Sequence, residues 1–169
     1  DVEGLHVWWL GQSGFLLKCG EKKLLLDPYL SDTLTHKYAA TDKPHVRMTA
    51  RCVAPEKLTG IKAVTASHLH TDHLDAGTLV PLAEASGGID LLLPHPIIEE
   101  ARQRLGDAPV RLSGLDAGET VALDGWEITG VPAAHNELRR DERGRCHYLG
   151  FLIRREGFTI YHSCYTLWH

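Results

Sequence analysis

The sequence predicts a mixed α/β fold, and three observations carry that expectation. Residues 5–26 read as three short apolar strands separated by Gly turns. Residues 61–112 alternate strand and helix patterns. Residues 119–162 return to strands joined by hairpin signals. With 169 residues, 43% hydrophobic and 24% charged, the chain suffices for one domain with a sizeable core.

Strand candidates 5–10, 15–19 and 22–26 are separated by Gly11-Gln12-Ser13-Gly14 and by Gly20-Glu21, which argues for an antiparallel meander. Pro28 ends the third strand because it has no N–H to donate. Asp27 is then a carboxylate at a strand end, either beside a site or capping a turn. Residues 29–58 are weakly patterned and read as a long loop with at most short helical turns. His36 and His45 lie there, as cleft residues or as ordinary loop residues.

Residues 61–66 form a buried-strand candidate. Residues 75–85 carry helix signals stopped by Gly87-Gly88. A strand at 89–93, a helix at 97–105 ending at Gly106 and a brief strand at 110–112 follow. That series expects parallel pairing through right-handed crossovers. Strand candidates 119–123, 126–133, 148–154 and 158–162 come last. Asp124-Gly125 and Glu156-Gly157 are hairpin signals, so this part is antiparallel again.

The chemistry concentrates in Ser67-His68-Leu69-His70-Thr71-Asp72-His73, a polar tip between a buried strand and a helix. His68 and His70 share a side if the backbone there is extended. His135 arrives just past a different strand. Three imidazoles hold a tetrahedral zinc ion and leave the fourth position for water, whose pKa the ion lowers toward neutrality. His68, His70 and His135 are that candidate set; Asp72 and His73 would hold a second ion or orient the water. The bland alternative is a hydrogen-bonded histidine cluster without metal. Arg139, Arg140, Arg143 and Arg145 follow His135, either to bind an anionic group or to face water.

Net charge is −4, so no basic excess argues for a nucleic-acid surface. No run is long and apolar enough to span a bilayer. Cys19, Cys52, Cys146 and Cys164 are scattered, and four free thiols in a reducing cytoplasm fit better than two disulfides. No signal peptide is visible, though the chain begins with Asp1 and a leader removed earlier would leave no trace.

The His-x-His-x-Asp-His motif resembles that of the metallo-beta-lactamase superfamily. Within it, the chain is most similar to the branch of beta-lactamase-like metal-dependent hydrolases that includes ascorbate-6-phosphate lactonase. Gly11-Gln12-Ser13-Gly14-Phe15 and Leu26-Asp27-Pro28-Tyr29-Leu30 resemble that branch's opening. Tyr161-His162-Ser163, followed by Thr166-Leu167, resembles the start of its second half. The resemblance implies an αββα sandwich, two sheets each covered outside by helices. It implies that His68, His70 and His135 hold the first metal and that Asp72 and His73 belong to a second. Asp72, the candidate catalytic residue, would also hydrogen-bond the nucleophilic water. Asp27 would brace a ligand histidine through its outer ring N–H. The metal would be zinc, or manganese as in some lactonase relatives.

Two departures stand against the resemblance. Family members usually read His-Ser-Gly-Asp-Thr where this chain reads His162-Ser163-Cys164-Tyr165-Thr166. The expected Asp bridges both metals, and a phenol with a pKa near ~10 is a poor bridging anion. Cys164 replaces a Gly; its thiolate is either a zinc ligand or a pocket group. The second departure is length: relatives continue with a second α/β half and one more ligand histidine, which His169 is too near strand 158–162 to replace. His147 is a pocket candidate. The fold is thus expected to be truncated or partial, a single domain over 1–169 with its C-terminal half missing. Uncovered apolar sheet would favour a homo-oligomer or completion by a second chain.

The leading functional expectation is a cytoplasmic, metal-dependent hydrolase that uses a metal-bound hydroxide on a small ester, lactone or phosphorylated substrate, an anionic one included. The alternatives are a catalytically impaired metal-binding remnant of the same fold and a phosphodiesterase or nuclease of the same superfamily, which the acidic net charge weakens. Metal content beside turnover separates the first two.

Overall fold

The computed structural model describes residues 3–168. The expected meander is present: β1 (Leu5–Gly11), β2 (Gly14–Cys19) and β3 (Lys22–Leu26) pair antiparallel in sequence. The β1–β2 turn uses positive φ at Gly11 and Gln12. The loop after β3 contains one six-residue helix, α1 (Thr33–Tyr38), and a single 3-10 turn at Pro55–Lys57. β4 (Ala63–Thr65), β5 (Ile89–Pro94) and β6 (Val110–Leu115) then add in parallel to β3, with α2 (Ala76–Ser86) and α3 (Ile98–Leu105) in the crossovers. One sheet of order β1-β2-β3-β4-β5-β6 results. α2 starts at Asp75, whose carboxylate accepts from the Gly77 N–H, and stops at left-handed Gly87.

β7 (Thr120–Leu123), β8 (Trp126–Pro132), β9 (Leu149–Arg155) and β10 (Phe158–His162) form a second, antiparallel sheet of order β10-β9-β8-β7. Both predicted hairpins have the expected backbone: φ is positive at Asp124, Gly125, Glu156 and Gly157, as a tight two-residue turn demands.

Alternation along the strands builds two cores. Leu25, Val64 and Leu91 face the helices and pack with Leu79, Leu82 and Ala101. Leu24, Leu26, Ala63 and Leu92 face the other way and pack with Trp126, Ile128, Phe151 and Ile153 of the second sheet. Among the described residues helices cover the first sheet alone. The outer face of the second sheet is mixed, with Tyr161, 52% exposed, beside Leu152 on it. It also carries a Thr120–Thr129 hydroxyl pair and a Glu127–Arg154 ion pair at 3.0 Å. Val7, Trp8 and Trp9 of the edge strand β1 are exposed apolar side chains too, as are Val46 and Met48 in the loop after α1. No helix among the described residues is long and apolar enough to cross a membrane.

Candidate metal centre

Parallel pairing of β3 with β4 sets Leu26 beside Thr65, so both strands end at one level. Asp27 follows with φ +42, its N–H given to the Thr65 carbonyl at 3.1 Å. The carboxylate thereby turns into the space beneath the histidine motif. There the expectation of an extended backbone fails. β4 ends at Thr65, and residues 67–74 run through bends and turns, with the N–H groups of His73 and Leu74 both donating to the His70 carbonyl at 3.0 and 2.9 Å. His68 and His70 meet because the chain curls, not because alternate residues share a strand face.

They do meet. His68 Nε2 lies 3.0 Å from His70 Nδ1. His135, just beyond β8, brings its ring centroid to 4.7 Å from His70 and 5.4 Å from His68. One nitrogen from each ring lies within 4.8 Å of the others. His68 is buried, His135 half-buried and His70 exposed, so the trio opens on one side to solvent. Burial and the neighbouring His73 charge, opposed by Asp27, lower the pKa of His68 to about 2. Burial and His135 lower that of His70. Both rings are therefore neutral at physiological pH, the form in which imidazole ligates a cation.

His73 is different. It is fully buried, with Nδ1 2.6 Å from Asp27 Oδ2. Burial alone would depress its pKa, but the Asp27 contact outweighs it and raises the value to about 10. Burial would likewise raise Asp27, yet His162 and His73 hold it well below the usual carboxylate range. His73 Nε2 is buried without a hydrogen-bond partner, 3.7 Å from Asp72 Oδ2. An orphaned ring nitrogen beside a carboxylate, its other nitrogen pinned by a second carboxylate, is placed to ligate a cation once the ring gives up the proton it holds in the metal-free chain.

Ser67 is the hub that sequence reading missed. Its hydroxyl contacts Asp27 Oδ2 closely and lies 3.1 Å from His68 Nδ1, 3.2 Å from His73 Nδ1 and 2.7 Å from Cys164 Sγ. With Nδ1 of His68 engaged there, Nε2 is left for the cluster. His68, His73 and Cys164 also form a compact trio of donor atoms. The Ser67 hydroxyl is within hydrogen-bond distance of all three, so this trio reads as a hydrogen-bonded knot. Cys164 meets the Nδ1 edge of His68, whereas His70 meets Nε2.

Cys164 has φ +55, a left-handed conformation where the resemblance expects Gly. Tyr165 lies over the cluster, its ring 5.2 Å from His73 and 5.9 Å from His135. His162, which enters the sequence reading only through the resemblance of Tyr161-His162-Ser163, has its buried Nε2 3.7 Å from Asp27 Oδ2. Its signal was the two-residue spacing from Ile160, which puts it on the inner face of β10. His169 lies outside the described residues.

His68 and His70 of the trio line a cleft of about 570 Å³. His147, Tyr148, Asp72 and Arg139 line it; His36 and His45 do not, and α1 contributes Leu34, Lys37 and Tyr38 instead. The Tyr148 ring stands 5.3 Å from His68 and 5.7 Å from His135. The other loop arginines are not all idle: Arg145 pairs with Asp141 at 2.7 Å, and Arg140 donates to the Gly144 carbonyl.

A two-sheet α/β sandwich with convergent histidines at its strand ends defines a class of metal-site protein. The family follows from sequence: the profile described as "Beta-lactamase superfamily domain" matches residues 22–166, and the chain belongs to that superfamily. A UPF0173 metal-dependent hydrolase of Cereibacter sphaeroides is 28% identical over 162 residues, covering 94% of this chain and 62% of the relative. One from Pelotomaculum thermopropionicum is 30% identical over 165 residues, covering 94% and 61%. The chain thus spans about three fifths of the length of these curated relatives. Igni18, a metallo hydrolase from Ignicoccus hospitalis, shares the fold at TM-score 0.62 and 22% identity, over 96% of this chain and 61% of that one. An isothiocyanate hydrolase from Delia radicum gut bacteria does so at 0.63 and 24%, over 98% and 63%.

Proposed function

We propose that this chain carries the metal centre of a hydrolase acting on a small ester or lactone. The convergence of His68, His70 and His135, with His68 and His70 lining an open cleft, carries the reading. The residues fit a divalent cation: two neutral imidazoles, a third ring beside them, and the orphaned Nε2 of His73 facing Asp72. His68, His70 and His135 would hold one ion, zinc by its preference for imidazole or manganese as the alternative. Such an ion supplies Lewis acidity and a water of lowered pKa.

The chain's own groups do the rest. Asp72 stands at the cleft floor to orient water and accept its proton. Asp27 fixes the ring of His73 through Nδ1. Tyr148 walls the cleft beside His68 and His135, limiting how substrate approaches them. The lactonase-like branch suggests a sugar-acid lactone among such substrates. Four free thiols suit a reducing compartment, the cytoplasm.

A second reading is a metal-binding remnant with weak turnover. Tyr165, standing where a bridging carboxylate is expected, favours it, because a second ion would then find His73 and Asp72 but no shared anion. Metal content measured beside hydrolysis of ester and lactone reporters tests both. One ion per chain with turnover supports the hydrolase, one ion without turnover supports the remnant, and no ion retained after reconstitution defeats both.

A further inference from the structure

We propose that the cleft binds its substrate by an anionic substituent, a carboxylate or a phosphate, held by Lys37 and Arg139. What happens after binding rests on the hydrolase reading above; the binding itself does not.

The charges lining the cleft are Lys37, Arg104 and Arg139 against Asp72 and Glu100. Three of the five have work elsewhere. Asp72 faces His73 Nε2 at the floor. Arg104 donates to the carbonyls of Leu69 and Leu74 at 2.7 and 2.9 Å, tying α3 to the histidine loop. Glu100, four residues before it on α3, opposes its charge. Lys37 and Arg139 remain. Among the described residues neither forms an ion pair: Lys37 lies over the Tyr38 ring with Nζ 5.3 Å from its centroid, and Arg139 uses only its carbonyl, accepting from the His147 N–H at 3.0 Å.

These two cations come from different segments, α1 and the loop after His135, yet line one cavity. Lys37 stands near enough to His70 to add to the lowering that burial and His135 impose there. Arg139 does the same at His147, after burial. Guanidinium and ammonium groups without carboxylate partners attract anions, and Arg presents a planar fork to carboxylate or phosphate. Leu34, Leu69 and Ile97 add apolar lining to the same cavity. A substrate of this class places its anion at the rim and its scissile bond over the imidazoles.

Three probes on the metal-free full chain test this by NMR titration: phenyl phosphate, benzoate and neutral benzyl alcohol. Removing the metal prevents direct anion ligation from masking the rim. An anionic probe should bind and benzyl alcohol should not, and the tighter anion identifies the substituent. Lys37→Gln with Arg139→Gln should weaken anion binding about tenfold, in line with two exposed charge contacts. Glu100→Gln should leave it unchanged or tighter. Equal binding of benzyl alcohol, or anion affinity undiminished in the double variant, overturns the proposal. Failure of the hydrolase reading shows separately, as a zinc-loaded chain that binds the anion but cleaves no ester or lactone.

Discussion

Asp27 Oδ2 lies 2.6 Å from His73 Nδ1, and neither side chain is reached by solvent. Two groups on elements far apart in sequence thus form one buried charge-assisted contact under the metal-site loop. Removing one partner of such a pair costs about 3–5 kcal/mol, because the other is left buried and uncompensated. Asp27→Asn should destabilise the metal-free chain by an amount of this order in urea unfolding.

The same pair sets a pH dependence. Asp27 is depressed from 3.8, so its contribution is present above that value and is lost as pH falls toward its folded pKa. His73 is raised from 6.5 to about 10, so its contribution is complete below 6.5 and is lost as pH rises through about 10. The metal-free chain should draw most from the pair between the ordinary values of the two groups, 3.8 and 6.5. Melting temperature against pH should show loss on both flanks, and Asp27→Asn should flatten both.

Ser67→Ala removes the hydroxyl shared by Asp27, His68, His73 and Cys164. Buried polar atoms left unpaired cost roughly 1–3 kcal/mol. Loss of a partner that fixes a ligand ring typically lowers metal affinity about 10–100-fold. Chelator competition should place the variant in that range, while His135→Ala should fail to retain zinc through dialysis. Unchanged affinity in Ser67→Ala would remove the hub from the account.

Ser67 also marks the limit of what the residues alone disclose. The meander, the parallel crossovers and both hairpins were legible because strand alternation and Gly-containing turns are local signals. The meeting of His68 and His70 was legible in outcome but not in cause. Residues 67–74 coil through backbone bonds to His70, which no periodicity announces. Ser67 and His162 were missed because their partner, Asp27, is brought to them by β3–β4 pairing and sheet stacking. Arg139 and Arg145 look alike in sequence; only the Asp141 contact of Arg145 tells them apart.

The sheet edges give another prediction. β10 stacks over β2, with the Phe15 and His162 rings 5.9 Å apart and the Cys19 thiol on Glu156. β1 lies one strand further out, so Val7 and Trp9 face inward yet remain 52% and 56% exposed. Beside that shelf runs β10, an edge strand with no Lys or Pro to discourage pairing. The 169-residue chain should self-associate as concentration rises in sedimentation velocity. Thr159→Lys with Trp9→Glu should suppress it; a monomer across the whole range would show that this edge does not recruit a second copy.

Tyr165 decides how many ions the centre holds. Its ring lies within 6 Å of both His73 and His135, over the gap between the first trio and the His73–Asp72 pair. The Tyr165 side chain brings a bulky ring there and no carboxylate for two cations to share. His73 and Asp72 alone are a thin set for a second cation. The wild-type chain should therefore bind one ion firmly and a second only in part. Tyr165→Asp replaces the ring with a short carboxylate and should raise the second site toward full occupancy, read by metal analysis and anomalous scattering at the zinc and manganese edges. Cys164→Gly in the same background relieves a left-handed side chain, a gain of about 1 kcal/mol, offset by loss of the thiol contact with Ser67. If the wild-type chain already binds two ions fully, the phenol does not limit the centre; if Tyr165→Asp still binds one, something other than the missing carboxylate does.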